Sequence, residues 1–234
     1  MQFFSQHNRA NQTESHSLAI HNGDTPIVND DWATLPDAQL RLAIQINAKQ
    51  EKYATAIALL NLWLTRYPES ATDYNYRGLL YFRQGQLFSA IQDYNHAILL
   101  NSRFAEAYNN RGNCYALQGN WLNALADYER VIDLNPYNGS VRINLGILLR
   151  KSGQYDAAIE NLDLALRLKS AWRGRIYAER GYTYYLRGDW NCAIADYHRA
   201  LAHLLDTDPI RQQVKQLLKP FLPPFRYLER GVEN

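Results

Sequence analysis

The stretch YNNRGNCYALQGNW, Tyr108 to Trp121, decides the fold, because YAERGYTYYLRGDW, Tyr177 to Trp190, follows the same plan further along the chain. Working outward, Gly78, Gly112 and Gly146 are 34 residues apart, and so are Gly85, Gly119 and Gly153, and Ala90, Ala124 and Ala158. A further copy, Gly181, Gly188 and Ala193, follows one extra residue placed between Ser170 and Gly174. A period near 34 marks an array of paired helices, each unit too small to bury its own apolar face and stacked on its neighbours to do so.

The residue types at fixed positions agree with that reading. Gly78, Gly112, Gly146 and Gly181 fall inside the first helix of each unit. Glycine weakens a helix there, so a second helix must approach closely at that point. Ala90, Ala124, Ala158 and Ala193 supply the small facing residue, and Tyr81, Tyr115, Tyr184, Trp121 and Trp190 fill the space around it. Gly85, Gly119, Gly153 and Gly188 end the first helix, where a left-handed cap favours glycine. Asn120 and Asp189 follow as N-caps of the second helix.

With these residues in view, the pattern Y-x-x-R-G-x-x-Y-x-x-x-G-x-W-x-x-A-x-x-D-Y resembles the tetratricopeptide repeat. Units at 71–104, 105–138, 139–172 and 174–207 carry it, and a degenerate unit at 37–70 has Ile44 and Glu51 in place of the two glycines. The resemblance implies an all-α, right-handed superhelical solenoid over residues 34–207. Residues 1–33 are polar and aperiodic and are expected to be a disordered tail. Residues 208–234 are expected to form a capping helix, with Asp208 as N-cap and Pro209 as first residue, and then an apolar tail containing FLPPFRYL. That tail either packs back on the last repeat or docks a partner.

Arg77, Arg111 and Arg180 precede the first-helix glycine, and Asp93, Asp127 and Asp196 precede the second-helix tyrosine. The unit with Leu145 has lost both members and carries Asn161, and the degenerate unit has Ala43 and Leu59. Loss in tandem predicts a structural, partly buried ion pair between the Arg and Asp of each unit.

No nucleophile–base set, phosphate-cradling loop or metal-ligand spacing stands out, so neither catalysis nor a cofactor or metal is expected. His7, His16 and His21 are spaced irregularly. The chain carries 25 Lys+Arg and 23 Asp+Glu, a balance that does not point to nucleic acid. Cys114 and Cys192 fall in different units and are expected to be free, buried thiols. There is no secretory leader pattern and no run long enough to span a bilayer, so a cytoplasmic protein is expected.

Helical-repeat arrays of this kind bind peptides in a concave groove lined by the first helices. Carrying the family's groove positions over gives Asn75, Leu79 and Phe82, then Asn109, Asn113 and Ala116, then Ile143, Ile147 and Arg150, and finally Ala178, Tyr182 and Tyr185. The basic clamp that reads acidic C-termini is not recognisable among them. The expected partner is a protein segment, extended or helical, with apolar anchors. A likeness of YNNRG…ALADYERVIDLNP to cyanobacterial and plastid repeats implies an assembly factor for a photosynthetic or membrane complex. Two other readings stay open: an RNA-binding repeat that uses the basic run from Arg167 to Arg187, and a self-associating structural protein. Ile143 and Ile147 are either groove residues or packed beneath a neighbouring helix or the chain's own tail.

Overall fold

The computed structural model describes residues 32–168 and 171–221. Of the disordered tail expected over 1–33, residues 1–31 with its three histidines lie outside the described residues, as does the tail beyond Phe221. Trp32 and Ala33 depart from that expectation and open a 3-10 turn, Trp32–Thr34, with Trp32 packed against the core of the first two helices. Among the described residues the fold is all-α, with no strand and no helix long and apolar enough to cross a membrane.

The chain divides into two compact units with the boundary after Cys114. The first unit holds α1 (Asp37–Lys49), α2 (Tyr53–Arg66), α3 (Ala71–Arg83), α4 (Leu87–Leu100) and most of α5 (Ala105–Leu117). Within it α1, α2, α3 and α4 pack in chain order. The second unit holds α6 (Trp121–Leu134), α7 (Gly139–Lys151), α8 (Tyr155–Arg167), α9 (Arg173–Arg187), α10 (Trp190–His203) and α11 (Pro209–Leu218). Here α6 packs on α7, and each later helix packs on the one before it. Alternate helices touch as well, α7 with α9 and α9 with α11.

One turn chemistry recurs. Gly85, Gly119, Gly153 and Gly188 have φ of +77°, +75°, +78° and +98°. The next amide reaches back five residues to close the helix end, as in Gln86 N–H to Tyr81 O at 2.9 Å and Asn120 N–H to Tyr115 O at 2.9 Å. The degenerate unit makes the same turn without glycine. Lys52 N–H bonds Asn47 O at 2.9 Å, and Glu51 takes φ of 60°. A non-glycine residue there carries a penalty of about 1 kcal/mol, partly offset by the extra freedom glycine has in the unfolded chain. Glu51→Gly is therefore expected to stabilise the first unit by about 0.5 kcal/mol, measured as a rise in urea midpoint at unchanged slope. A fall in midpoint would contradict the strain at Glu51.

Helix starts are capped by Asn120 Oδ1, which accepts from Asn123 N–H at 3.4 Å, and by Asn138 Oδ1, which accepts from Val141 N–H at 3.2 Å. Asp208 Oδ1 accepts from Ile210 N–H at 2.9 Å, with Pro209 in the first turn of α11. Asp189 departs from expectation. Its side chain makes no capping bond, because Arg187 two residues earlier holds the carboxylate.

The helical glycines mark close approach. A Cβ on Gly78 would lie 2.7 Å from Tyr94 Cε1, and one on Gly181 would lie 2.9 Å from both Tyr197 Cδ1 and Cε1. The degenerate unit solves the same geometry differently. Ile44 takes the glycine position, Leu60 stands where the tyrosine would be, and both are fully buried in one cluster.

Cys114 is buried with Ala90 and Tyr94, and burial pushes its thiol up to about 12. Cys192 is exposed, contrary to expectation. The buried face of α10 carries Ala193, Tyr197 and Ala200, at i, i+4 and i+7, and Cys192 lies one residue off that stripe.

Candidate partner-binding site

Three-way arginine contacts position the first helices. Arg77 Nε donates to Asp93 Oδ2 at 2.8 Å and Nη2 to Oδ1 at 2.6 Å. Arg180 meets Asp196 in the same way, at 2.6 and 2.8 Å. Both carboxylates are buried. The remaining guanidinium nitrogen reaches back to the preceding helix: Arg77 Nη1 to Asn61 Oδ1 at 2.8 Å, Arg111 Nη1 to Asn95 Oδ1 at 2.7 Å, and Arg180 Nη1 to Asp163. Arg77 and Arg180 thus each tie three helices together. The backward contact was legible in principle, since Asn61 and Asn95 sit 16 residues before Arg77 and Arg111, just as Asp93 sits 16 after Arg77. Asp127 is buried in α6. Where Leu145 replaces the arginine, Arg142 one turn earlier donates to Asn161 Oδ1 at 3.1 Å.

In the first unit, α1 and α3 leave a cleft of about 320 Å³ between them. Gln45, Ala48 and Lys49 come from α1, and Tyr76, Leu79, Leu80 and Arg83 come from α3, with Glu51 and Tyr53 at one end. Tyr76, Leu80 and Arg83 follow i, i+4, i+7 spacing, with Leu79 beside them, so one face of α3 presents them together. Burial raises the Tyr76 phenol above its ordinary range. Leu79 is thus the expected groove residue that this cleft contains. Phe82 packs half-buried against Ala90, Tyr94 and Cys114. Asn75 is buried and accepts from Asn110 Nδ2 at 3.0 Å, so its amide bonds the protein itself rather than facing an open groove. Asn109, Asn113 and Ala116 are half-buried along α5.

In the second unit, the expected groove positions divide sharply. Ile143 is 1% exposed and belongs to the core with Leu162, Ala165, Leu166 and Ile176, and Ile147 packs against the same cluster. Ala178 is fully buried against Ala193 and Tyr197. Arg150, expected as a groove residue, is 6% exposed. Its Nη1 donates to Glu179 Oε2 at 2.6 Å and to Glu179 O at 3.2 Å, and its guanidinium carbon lies 4.8 Å from the Tyr182 ring centroid. Glu179 is fully buried, and its other oxygen, Oε1, has no hydrogen-bond partner. Asn75, Ile143, Arg150 and Ala178 are therefore withdrawn from the exposed surface, because the adjoining first helix or the chain's own second helix covers them.

Glu179 escaped the sequence reading. The signal lay in two departures from the repeat. The position two before the helical glycine holds Tyr76, Asn110 and Asn144 in other units, and an acid only at Glu179. The position four after that glycine holds Phe82, Ala116 and Tyr185, and a base only at Arg150.

On α9 Tyr185 is exposed and Tyr182 is half-buried against the core, with their ring centroids 6.2 Å apart and planes 12° from parallel. Within the basic run, Arg180 is bound to Asp196 and Asp163, and Arg187 to Asp156 and Asp189. Those two arginines are thus engaged within the protein.

Profiles described as tetratricopeptide repeat match residues 105–138 and 127–160, and a profile described as TPR repeat matches residues 78–119. The chain carries tetratricopeptide repeats. Solved structures share the fold. TTC0263, a thermophilic TPR protein in Thermus thermophilus, is 21% identical, with 78% of this chain and 98% of that chain covered and a TM-score of 0.64. MamA 41-end from Desulfovibrio magneticus RS-1 is 16% identical over 74% of this chain and 96% of its own, with a TM-score of 0.65. YrrB, a TPR protein with an unusual peptide-binding site, is 17% identical over 74% and 88%, with a TM-score of 0.59. No curated protein matches the chain.

Proposed function

We propose that this protein is a non-enzymatic scaffold that binds a segment of a partner protein, and that the cleft between α1 and α3 is a principal contact. The observation that carries this reading is the cleft itself. Its volume, about 320 Å³, suits one large apolar side chain, its apolar wall is Leu79, Leu80 and Ala48, and Lys49 and Arg83 stand at its rim. A partner segment with one leucine or aromatic anchor beside an acidic residue fits that lining. The repeat fold supports the reading, since YrrB carries a peptide-binding site on the same architecture. The arrangement of charge supports it as well. The buried carboxylates Asp93, Asp196 and Glu179 are engaged by arginines that hold helices together.

The test is selection of peptides from a displayed library on the full chain, followed by fluorescence polarisation with one selected peptide. Leu79→Asp places a charge in the cleft and is expected to weaken binding at least about tenfold, the equivalent of losing one buried apolar contact. Leu205→Asp, on a residue 75% exposed, is the control and should change nothing. Equal affinities for the wild type and Leu79→Asp would remove the cleft from the binding site.

A further inference from the structure

The chain is held firmly up to the end of α11, where Val214 and Leu218 are buried against Ala178, Ala193 and Tyr197. It then turns through Lys219–Phe221, and the Phe221 ring lands edge-on against two aromatic residues. Its centroid lies 5.8 Å from Trp190 at an interplanar angle of 74°, and 6.2 Å from Tyr185 at 81°. These are favourable edge-to-face arrangements. Phe221 does not cover its neighbours: Trp190 remains 57% exposed and Tyr185 40%. Tyr182 continues the aromatic strip beyond Tyr185, its ring nearly parallel to that of Tyr185.

The next residues of the chain are Leu222, Pro223, Pro224, Phe225, Arg226, Tyr227 and Leu228. Two consecutive prolines fix the backbone near an extended left-handed helix, and the residue before them is restricted to extended conformations too. Such a segment loses little freedom on docking, and aromatic-lined surfaces are what proline-rich segments fit. The span from Phe221 to Phe225 reaches about 13 Å when extended, enough to pass Tyr185 and arrive at Tyr182.

The geometry points to an intramolecular ligand: residues 222–228 of this chain dock on the Tyr182–Tyr185–Trp190 strip, continuing the contact begun by Phe221. The occupant is argued from continuity. The segment emerges on the strip, carries apolar side chains that match it, and is present at an effective concentration on the order of 1 mM because it is tethered there. Any partner for this face of α9 must displace the tail. The inference stands independently of the α1–α3 cleft, which lies in the other compact unit.

The experiment uses two full-length chains, the wild type and a variant with Leu222→Ser, Phe225→Ser, Tyr227→Ser and Leu228→Ser. All four substitutions lie outside the described residues, and circular dichroism melting checks that both chains fold alike. The probe is a fluorescein-labelled peptide with the sequence of residues 221–234, followed by fluorescence polarisation. The serine variant is expected to bind the probe. For an intrinsic dissociation constant on the order of 10 μM, the wild type should bind about 100-fold more weakly, because its own tail competes. Adding Tyr185→Ala to the serine variant should reduce probe binding at least about tenfold. Equal binding to the two chains would overturn the proposal, and so would failure of both to bind. Light scattering over a dilution series distinguishes the remaining occupant. A wild-type dimer that becomes monomeric in the serine variant would assign the strip to the tail of a second copy and overturn the intramolecular form.

Discussion

Arg150→Ala is expected to lower the stability of the second unit by about 3–5 kcal/mol, the usual consequence of leaving a buried charge without its partner. The reason is the burial of the pair, with side chains 6% and 0% exposed. With the guanidinium gone, the Glu179 carboxylate keeps no charged partner, and its Oε1 already lacks a hydrogen bond. Glu179→Ala should be comparably damaging, since it strands Arg150 beneath Tyr182. Replacing both, as Arg150→Met with Glu179→Leu, should recover most of the loss, because two apolar side chains of similar volume need no desolvated charge. Urea melts followed by circular dichroism measure the three variants, and amide exchange along α9 localises the effect to the repeat that carries the pair. A loss below about 1 kcal/mol in Arg150→Ala would mean that the pair is solvated enough to behave as a surface contact.

Gly181→Ala is expected to destabilise by about 1–3 kcal/mol even though alanine is the better helix former. The added methyl would meet Tyr197 at 2.9 Å and the Ala193 carbonyl oxygen at 3.3 Å, and Tyr197 is fully buried with no room to swing. The degenerate unit suggests the rescue. There Ile44 occupies the glycine position with Leu60 in place of the tyrosine, although Leu162 in the corresponding place opposite Gly146 would still meet an added Cβ at 2.8 Å. Tyr197→Leu alone opens space and costs stability, but combined with Gly181→Ala it should recover about 1 kcal/mol relative to the sum of the single changes. A double-mutant cycle by urea denaturation reads that coupling directly. Strict additivity would show that the glycine is not there for the tyrosine.

The glycines were readable because each answers a local demand that recurs every repeat. One set supplies a positive φ at a helix end, as at Gly85, and the other supplies clearance for a second helix, as at Gly78. Repetition turned weak local signals into a strong one. The backward reach of Arg77 to Asn61 obeyed the same spacing, but it was hidden because an asparagine on a helix surface is unremarkable until its partner is seen. Of the groove positions carried over from the family, Leu79 lines the cleft between α1 and α3, whereas Ile143 and Ala178 are buried.

The sequence by itself determined the all-α class, the order of helix pairs and the turns that close them, because periodic glycine, alanine and capping residues act over a few positions of backbone. Only the tertiary structure decided which first-helix side chains face solvent. Arg150 sits at a position where other repeats carry Phe82, Ala116 and Tyr185, and nothing within its own helix buries it. Its burial comes from Glu179 and Tyr182, a full helix pair further along the chain. The same holds for Phe221, whose seat is made by Tyr185 and Trp190 on earlier helices. Burial and pairing depend on which side chains the packing of neighbouring helices brings together, and that information is distributed across repeats rather than written in any one of them.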